Sequence, residues 1–537
     1  MMALPSLDLL RAGLIAGGSV AALGSAAAAI RIVLRGRVVD HAAVSDVRDA
    51  AAALSRLTKA CDPLRFIDLR RGIFLGHDQA RRPIYWPRRV LDKNHVEIVG
   101  ETGVGKSSLA GVLLSQLSAS GETVVIFDPK FDRLLPGVLA RAGREWGRYE
   151  VNMVDLRLTA GPQLNPFRGC RHDQVEELLQ VGLELGKTGD AAVDFYRGGD
   201  REATAWVAEA CAAGSDIRAL ISAAAEDERV TERENLWREL RQLGRIPAFH
   251  TTAGLDLNGV LSKPGVLYIV GSTTRLEVVA AQKLVLQRVM QILDEREDQS
   301  RPVALFLDEL KYILSPAALR AAGTIRDRNC HLLFAHQSLG DLNDCPGLDP
   351  AAVHGAIWGN TGLKFVYKVN DDPTAQMLSR IAGKVTTAVR STTRGGDGRT
   401  SSTTRDESVP LIPQHVFTHL PKPEAGEASV GVLLGREVAR YVSTRWLPAG
   451  PTPKPAIVAP PPRTQIPMRP PAPVESPAAA IPVPTLAVAK PTSPFAALVT
   501  KRPSGQANAN AAPTASSAAN SAAPAPDISL DDLLKRP

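Results

Sequence analysis

The chain has 537 residues, 22% of them charged and 44% hydrophobic, with a formal net charge of +7. That length allows two or three domains and a large core. The five cysteines (Cys61, Cys170, Cys211, Cys330, Cys345) are odd in number and contain no C-x-x-C pair, which argues against a disulfide framework and a cysteine zinc site and fits reducing cytosol.

The charge is not a global nucleic-acid footprint. From Pro451 onward there are eight Lys/Arg against four Asp/Glu, which leaves +3 for everything before it. Any nucleic-acid surface must therefore be local.

In chain order, the first feature is an uncharged run from Ala12 through Ile30, rich in Ala, Gly and Leu and followed by Arg31, Arg35 and Arg37. It is long enough to cross a bilayer, and residues 12–34 are read as one transmembrane anchor with the bulk of the chain in the cytoplasm. A signal peptide and a buried small-residue helix are the competing readings. Residues 38–71 read as a helical linker. Ile73–Gly76 and Pro83–Trp86 then read as a strand pair.

The next segment carries the strongest chemistry. Gly100-Glu101-Thr102-Gly103-Val104-Gly105-Lys106-Ser107 matches G-x-x-x-x-G-K-[ST]. His95–Val99 before it is strand-like, and Ser108–Leu114 after it opens a helix. A strand, a glycine turn and a helix N-terminus aim several backbone N–H groups at one phosphate. The nucleotide-binding residues are thus Gly100, Glu101, Thr102, Gly103, Val104, Gly105, Lys106, Ser107 and Ser108. Lys106 is expected at the β- and γ-phosphates of ATP, and Ser107 on Mg2+.

Strands at Val124–Phe127 and near Val151–Leu156, with a helix between them after Lys130, continue an α/β pattern with a largely parallel sheet. Between about 171 and 245 apolar residues recur only at helical spacing. This stretch reads as an all-α domain inserted into a RecA-like P-loop core made of 72–170 and 246–448. From 449 the chain turns to Pro, Ala, Ser and Thr, and 20 of its 40 prolines lie in Pro451–Pro537. Such a segment is expected to be disordered. Its last residues, 527–536, with apolar positions at Leu530, Leu533 and Leu534, suit either a docking peptide or a frayed terminus.

A second cluster decides between classes of nucleotide binder. Val303–Leu307 is an apolar strand ending in Asp308-Glu309. Asp308 is expected to hold Mg2+, and Glu309 to activate water as general base, so the chain reads as an ATP hydrolase. No N-K-x-D base-reading motif of a GTPase is present. The next apolar run, His331–Ala335, leads into His336-Gln337-Ser338, with Gln337 expected near the γ-phosphate. Arg326 or Arg328 is a candidate for completing a neighbouring subunit's site. Arg390, Arg394, Arg399 and Arg405 are spaced among Ser, Thr and Gly, as either a phosphate-gripping surface or a plain exposed hairpin tip.

The P-loop, Phe127-Asp128-Pro129-Lys130, Asn165-Pro166-Phe167, the Asp308-Glu309 pair and Gln337-Ser338 together resemble type IV secretion coupling proteins, the TraD/TraG-like conjugative DNA-transfer ATPases of the FtsK/HerA superfamily. The resemblance spans about Gly72 to Trp446. It implies a homo-hexamer anchored in the bacterial inner membrane that brings a relaxase with its single-stranded DNA to the components of a type IV secretion channel. It also singles out Arg326, eleven residues before Gln337, as the trans-acting arginine, and implies an accessory or adaptor protein as the partner of 527–536. A coupling ATPase for protein effectors and an FtsK/HerA-type double-stranded DNA translocase are the alternatives. The chain departs from the family in showing one candidate span rather than two, and in placing Glu101 where small or apolar residues are usual.

Overall fold

The computed structural model describes residues 54–59 and 61–458 together with Ala52, except 213, 395, 397–399 and 436. The expected anchor 12–34, the segment 38–51, Arg399 and the peptide 527–536 lie outside the described residues. Among those described, no helix is long and apolar enough to cross a membrane. Where the linker 38–71 is described it carries 3-10 turns at Arg56–Thr58 and Pro63–Arg65. Pro63 lacks an N–H, and Asp62 caps this second turn by accepting from Leu64 N.

The strands in chain order are β1 (Ile73–His77), β2 (Pro83–Trp86), β3 (His95–Val99), β4 (Thr123–Asp128), β5 (Val151–Asp155), β6 (Gly265–Val270), β7 (Val303–Leu307), β8 (Cys330–His336), β9 (Thr361–Val366), β10 (Lys384–Arg394), β11 (Thr400–Pro410), β12 (Ser429–Leu434) and β13 (Arg440–Thr444). Eleven of them form one sheet in the order β2-β1-β13-β12-β9-β3-β8-β7-β4-β6-β5. From β9 to β5 neighbouring strands are parallel, and the four at the β2 end are antiparallel. Strands covered on both faces need apolar residues throughout rather than alternation. β4, β7 and β8 accordingly read TVVIFD, VALFL and CHLLFAH and are buried end to end.

Helices cover both faces. α1 (Lys106–Ala119) is buried from Ser108 through Ala119 and packs beside α2 (Leu135–Trp146). Between β5 and β6 run α3 (His172–Gly182), α4 (Ala191–Ala210), α5 (Ile217–Ala225) and α6 (Glu234–Leu243). Asp190 and Asp216 cap α4 and α5 by accepting from the first free N–H groups. This helical stretch has no core of its own. Leu178, Val207, Leu240 and Phe249 belong to the same apolar cluster as Val125, Phe127 and Leu305 of the sheet. The amphipathic faces of these helices have the sheet face and α7 (Leu276–Glu295) to cover, so the stretch is a layer of the fold.

Of the tail expected to be disordered, residues 449–458 are described. Gly450 N donates to Gly137 O (2.9 Å) and Val458 N to Pro162 O (2.8 Å). A Cβ on Gly137 would stand 2.3 Å from Gly450 O, so this close crossing requires glycine there. β10 and β11 form a separate ribbon, in register from Lys384↔Pro410 to Arg394↔Thr400.

Candidate nucleotide site

Parallel topology determines which residues meet. β8 lies between β3 and β7, and β4 lies beside β7, so the carboxyl ends of four strands converge. They deliver Gly100, Gln337, Asp308-Glu309 and Asp128 respectively. Ligands of α/β sheets bind outside such ends. A cleft of about 950 Å³ opens there, lined by Thr102, Gly105, Lys106, Ser107, Lys130, Asp308 and Glu309 among others.

The loop Gly100–Ser107 has the backbone that phosphate binding needs. Gly103 and Gly105 have φ of +83° and +103°, and a Cβ on Gly105 would collide with Ser429 on β12. Gly105 passes directly into α1, whose first N–H groups are free to meet an anion. Lys106 Nζ donates to Gly100 O (2.6 Å) and Glu101 O (3.1 Å). Burial lowers its pKa, while the Asp308 and Glu309 carboxylates oppose that shift.

Glu101, the unusual residue of the loop, is tied down. It pairs with Lys422 (3.0 Å) and Lys368 (3.6 Å) and accepts from Asn370 Nδ2. Burial acts to raise its pKa, but Lys422, Asn370 and Lys368 together hold it below the ordinary glutamate value. The charge thus clamps the loop to the segments after β9 and before β12.

The acidic side of the cleft is built by β4 and β7. Asp128 accepts from Lys130 N (3.1 Å), Phe131 N (2.8 Å), Asp132 N (2.6 Å) and the Tyr268 hydroxyl, folding the Asp-Pro-Lys turn back on itself. That turn carries the Lys130 ammonium onto Glu309 Oε1. Glu309, 4% exposed, takes φ +47°, a left-handed conformation uncommon for a residue with a side chain and frequent where function demands it. Gln337 Nε2 reaches Glu309 Oε2 at 3.2 Å. Desolvation, Asp128 and Glu309 push Asp308 up to about 7, so a cation arriving there would be met by a carboxyl ready to lose its proton.

The structure brings together Gly100, Glu101, Thr102, Gly103, Val104, Gly105, Lys106, Ser107, Ser108, Asp308, Glu309 and Gln337. It does not bring Arg326 to them. Arg326 is exposed on the turn Ile325–Arg328, and its neighbour Arg328 pairs with Asp294 (3.0 Å). Lys130 and His336 join the site without having been singled out as site residues. Asp-Pro-Lys after an apolar strand was a signal for the first, whereas the partners of His336 are remote in sequence.

The residues fit a nucleotide with its Mg2+. Ser108 Oγ is buried without a hydrogen-bond partner beside the loop. Among the described residues, no cluster of three or more His, Cys, Asp or Glu side chains would hold a metal by itself. A cation here would need phosphate oxygens to complete its shell.

Residues 302–422 match the family model described as the TraM recognition site of TraD and TraG, and residues 88–132 match the central domain of the helicase HerA. Mobilization protein A of Escherichia coli is 30% identical over 308 residues, covering 55% of this chain and 56% of that protein. The matched segments are similar to parts of TraD and TraG and of HerA. The chain matches little more than half the length of this curated relative. Its fold is that of the bacterial conjugative coupling protein TrwB. An unbound form gives a TM-score of 0.51 at 15% identity over 76% of this chain and 94% of that one. TrwB in complex with a non-hydrolysable ATP analogue gives 0.52 at 16% identity over 76% and 95%. TrwB with ADP and Mg2+ gives 0.50 at 15% identity over 75% and 96%.

Proposed function

We propose that this chain is an ATP-hydrolysing coupling protein that works as a homo-hexamer at the bacterial inner membrane and passes relaxase-bound single-stranded DNA to a type IV secretion channel. The observation that carries the reading is the convergence of Lys106, Asp308, Glu309 and Gln337 on one phosphate-binding loop. Family likeness and the nucleotide complexes of TrwB support it.

In this reading the loop N–H groups and Lys106 bind the triphosphate and neutralise its β- and γ-oxygens. A Mg2+ ion bound with ATP supplies further charge neutralisation, held by the Ser107 hydroxyl and the Asp308 carboxylate. Glu309 orients the attacking water and takes its proton. Gln337, bonded to Glu309, passes the state of the site into β8. Arg326, exposed and away from its own cleft, would complete a neighbour's site across a ring interface. The helical layer 171–245 would receive substrate on the cytoplasmic side. The β10–β11 ribbon, with Arg390, Arg394 and Arg405, would follow a phosphate backbone without reading sequence. The anchor 12–34 would hold the ring at the membrane, and 527–536 would dock an accessory or adaptor protein.

The HerA-type match at 88–132 favours one second reading, a double-stranded DNA translocase. ATP hydrolysis by the purified chain, alone and with single- or double-stranded DNA, tests both. Stimulation by single strands that Lys106→Ala and Glu309→Gln abolish is the expected result. Stimulation by duplex alone supports the second reading, and hydrolysis indifferent to both DNAs moves protein effectors to the front.

A further inference from the structure

Below the phosphate loop three strands share a buried ionic cluster. Glu97, in the middle of β3, is wholly buried. Its Oε1 accepts from His336 Nε2 at 2.7 Å, and its Oε2 accepts from Thr361 Oγ1 and Lys364 Nζ, each at 2.8 Å. Lys364 on β9 donates further to Trp358 O (2.8 Å) and lies 4.6 Å from the centre of the Trp358 ring. The other nitrogen of His336, Nδ1, stands 2.9 Å from Ser338 O.

The Ser338 carbonyl only accepts, so Nδ1 carries a proton and Nε2 faces the Glu97 carboxyl group. Burial works against ionisation of Glu97, but His336 and Lys364 outweigh it and hold its pKa at about 2. Such a cluster is rarely the most stable filling for a core, where apolar side chains of similar volume do as well.

Its position gives it a use. β3 runs from Glu97 into Gly100, whose N–H donates to His336 O (3.2 Å). β8 runs from His336 into Gln337, the partner of Glu309. β9 runs from Lys364 to Lys368, whose carbonyl accepts from Glu101 N (2.9 Å) and whose ammonium pairs with the Glu101 carboxylate. Three segments of the nucleotide site thus leave from one buried knot.

We propose that His336 is a positioning residue: its ring, gripped by Glu97 and the Ser338 carbonyl, fixes the turn that aims Gln337 at Glu309. Through its own carbonyl it also fixes the first glycine of the phosphate loop. The role rests on the hydrolytic reading above. Asp341, on the following helix, accepts from Gln337 N (2.8 Å) and steadies the same turn.

The test uses the full chain with ATP, comparing His336→Leu, His336→Gln and Glu97→Gln with the wild type. We expect kcat to fall about tenfold or more in His336→Leu, with KM for ATP within about threefold. His336→Gln, which keeps one donor, should recover part of the loss. If His336→Leu fails to fold, the near-isosteric Glu97→Gln carries the same kcat test. Unchanged kcat in both His336→Leu and Glu97→Gln beside an active wild type overturns the positioning role alone. A wild type without hydrolysis overturns the reading beneath it, and the role with it.

Discussion

In the middle of β3 and at the carboxyl ends of β7 and β4, Glu97, Glu309 and Asp128 are all buried, none more than 4% exposed, and each is held by two or more donors. In the helical stretch 171–245 the interior is mostly Leu, Val, Ile and Ala, with Gln174, Thr204 and Cys211 among them. Asp216 is the one buried charged side chain among its described residues, and it serves as a helix cap. Both regions belong to one compact unit with a continuous apolar core. A buried charge is costly unless it is paired and hydrogen-bonded, so the contrast marks where stability has been given up for chemistry. The strained backbone at Glu309 and the raised Asp308 lie in the same region.

The largest expected effect lies at the charged end. Glu309→Gln should lower ATP turnover by about 10²–10⁴-fold, the usual range for a general base, while retaining nucleotide in an equilibrium binding assay. Turnover within tenfold of wild type would erase the functional side of the contrast. In the apolar region, Leu240→Ala should cost about 2–5 kcal/mol through the cavity it leaves. Because the core is continuous, calorimetry should show one transition moving as a whole. Two transitions, only one of them moved, would make 171–245 an independent domain.

Acid should attack the buried charges before the helical layer. Burial lowers His95 from 6.5 to about 4; its ring accepts from Leu332 N (3.0 Å) and faces Ala322 O (3.0 Å). Its stabilising contribution is complete above about 6.5 and is lost as pH falls toward about 4. Glu97, depressed from 4.5 to about 2, loses its contribution in that lower window. Melting temperature measured against pH should therefore fall in two steps, and His95→Asn should remove the first.

Asp308 has the opposite sign. Raised from 3.8 to about 7, it destabilises the fold increasingly between those values and fully above them. Asp308→Asn should melt higher than wild type at pH 8 without Mg2+, with the gain shrinking as pH falls. The smallest effect belongs to the outer surface of the helical stretch. Arg171 pairs with Asp173 (3.0 Å) and Glu295 (2.7 Å) in full contact with water, and Arg171→Ala should leave the melting curve unchanged within error.

Local chemistry made much of this molecule readable in one dimension. The glycine spacing of 100–107, the apolar run ending at Asp308-Glu309 and the helical period of 171–245 each come from interactions within a few residues. A turn, a strand end and an amphipathic helix are short-range objects. The same pattern could not say that β8 would lie between β3 and β7, although that order is what puts Gln337 on Glu309. Nor could it reveal that Glu101 is clamped by Lys368 and Lys422, or that Gly450 is held against α2. His336 is the sharpest case. Its partner Glu97 lies 239 residues before it, and Lys364, which holds the other oxygen of that carboxylate, lies 28 after it; parallel pairing of β3 with β8 and β9 brings them together. The sequence alone determined which residues can bind phosphate and activate water, because those capacities belong to residue types and their spacing. Only the tertiary structure decided which carboxylates are buried, which cations hold them and which histidine they meet, because desolvation and pairing exist only once distant strands have met.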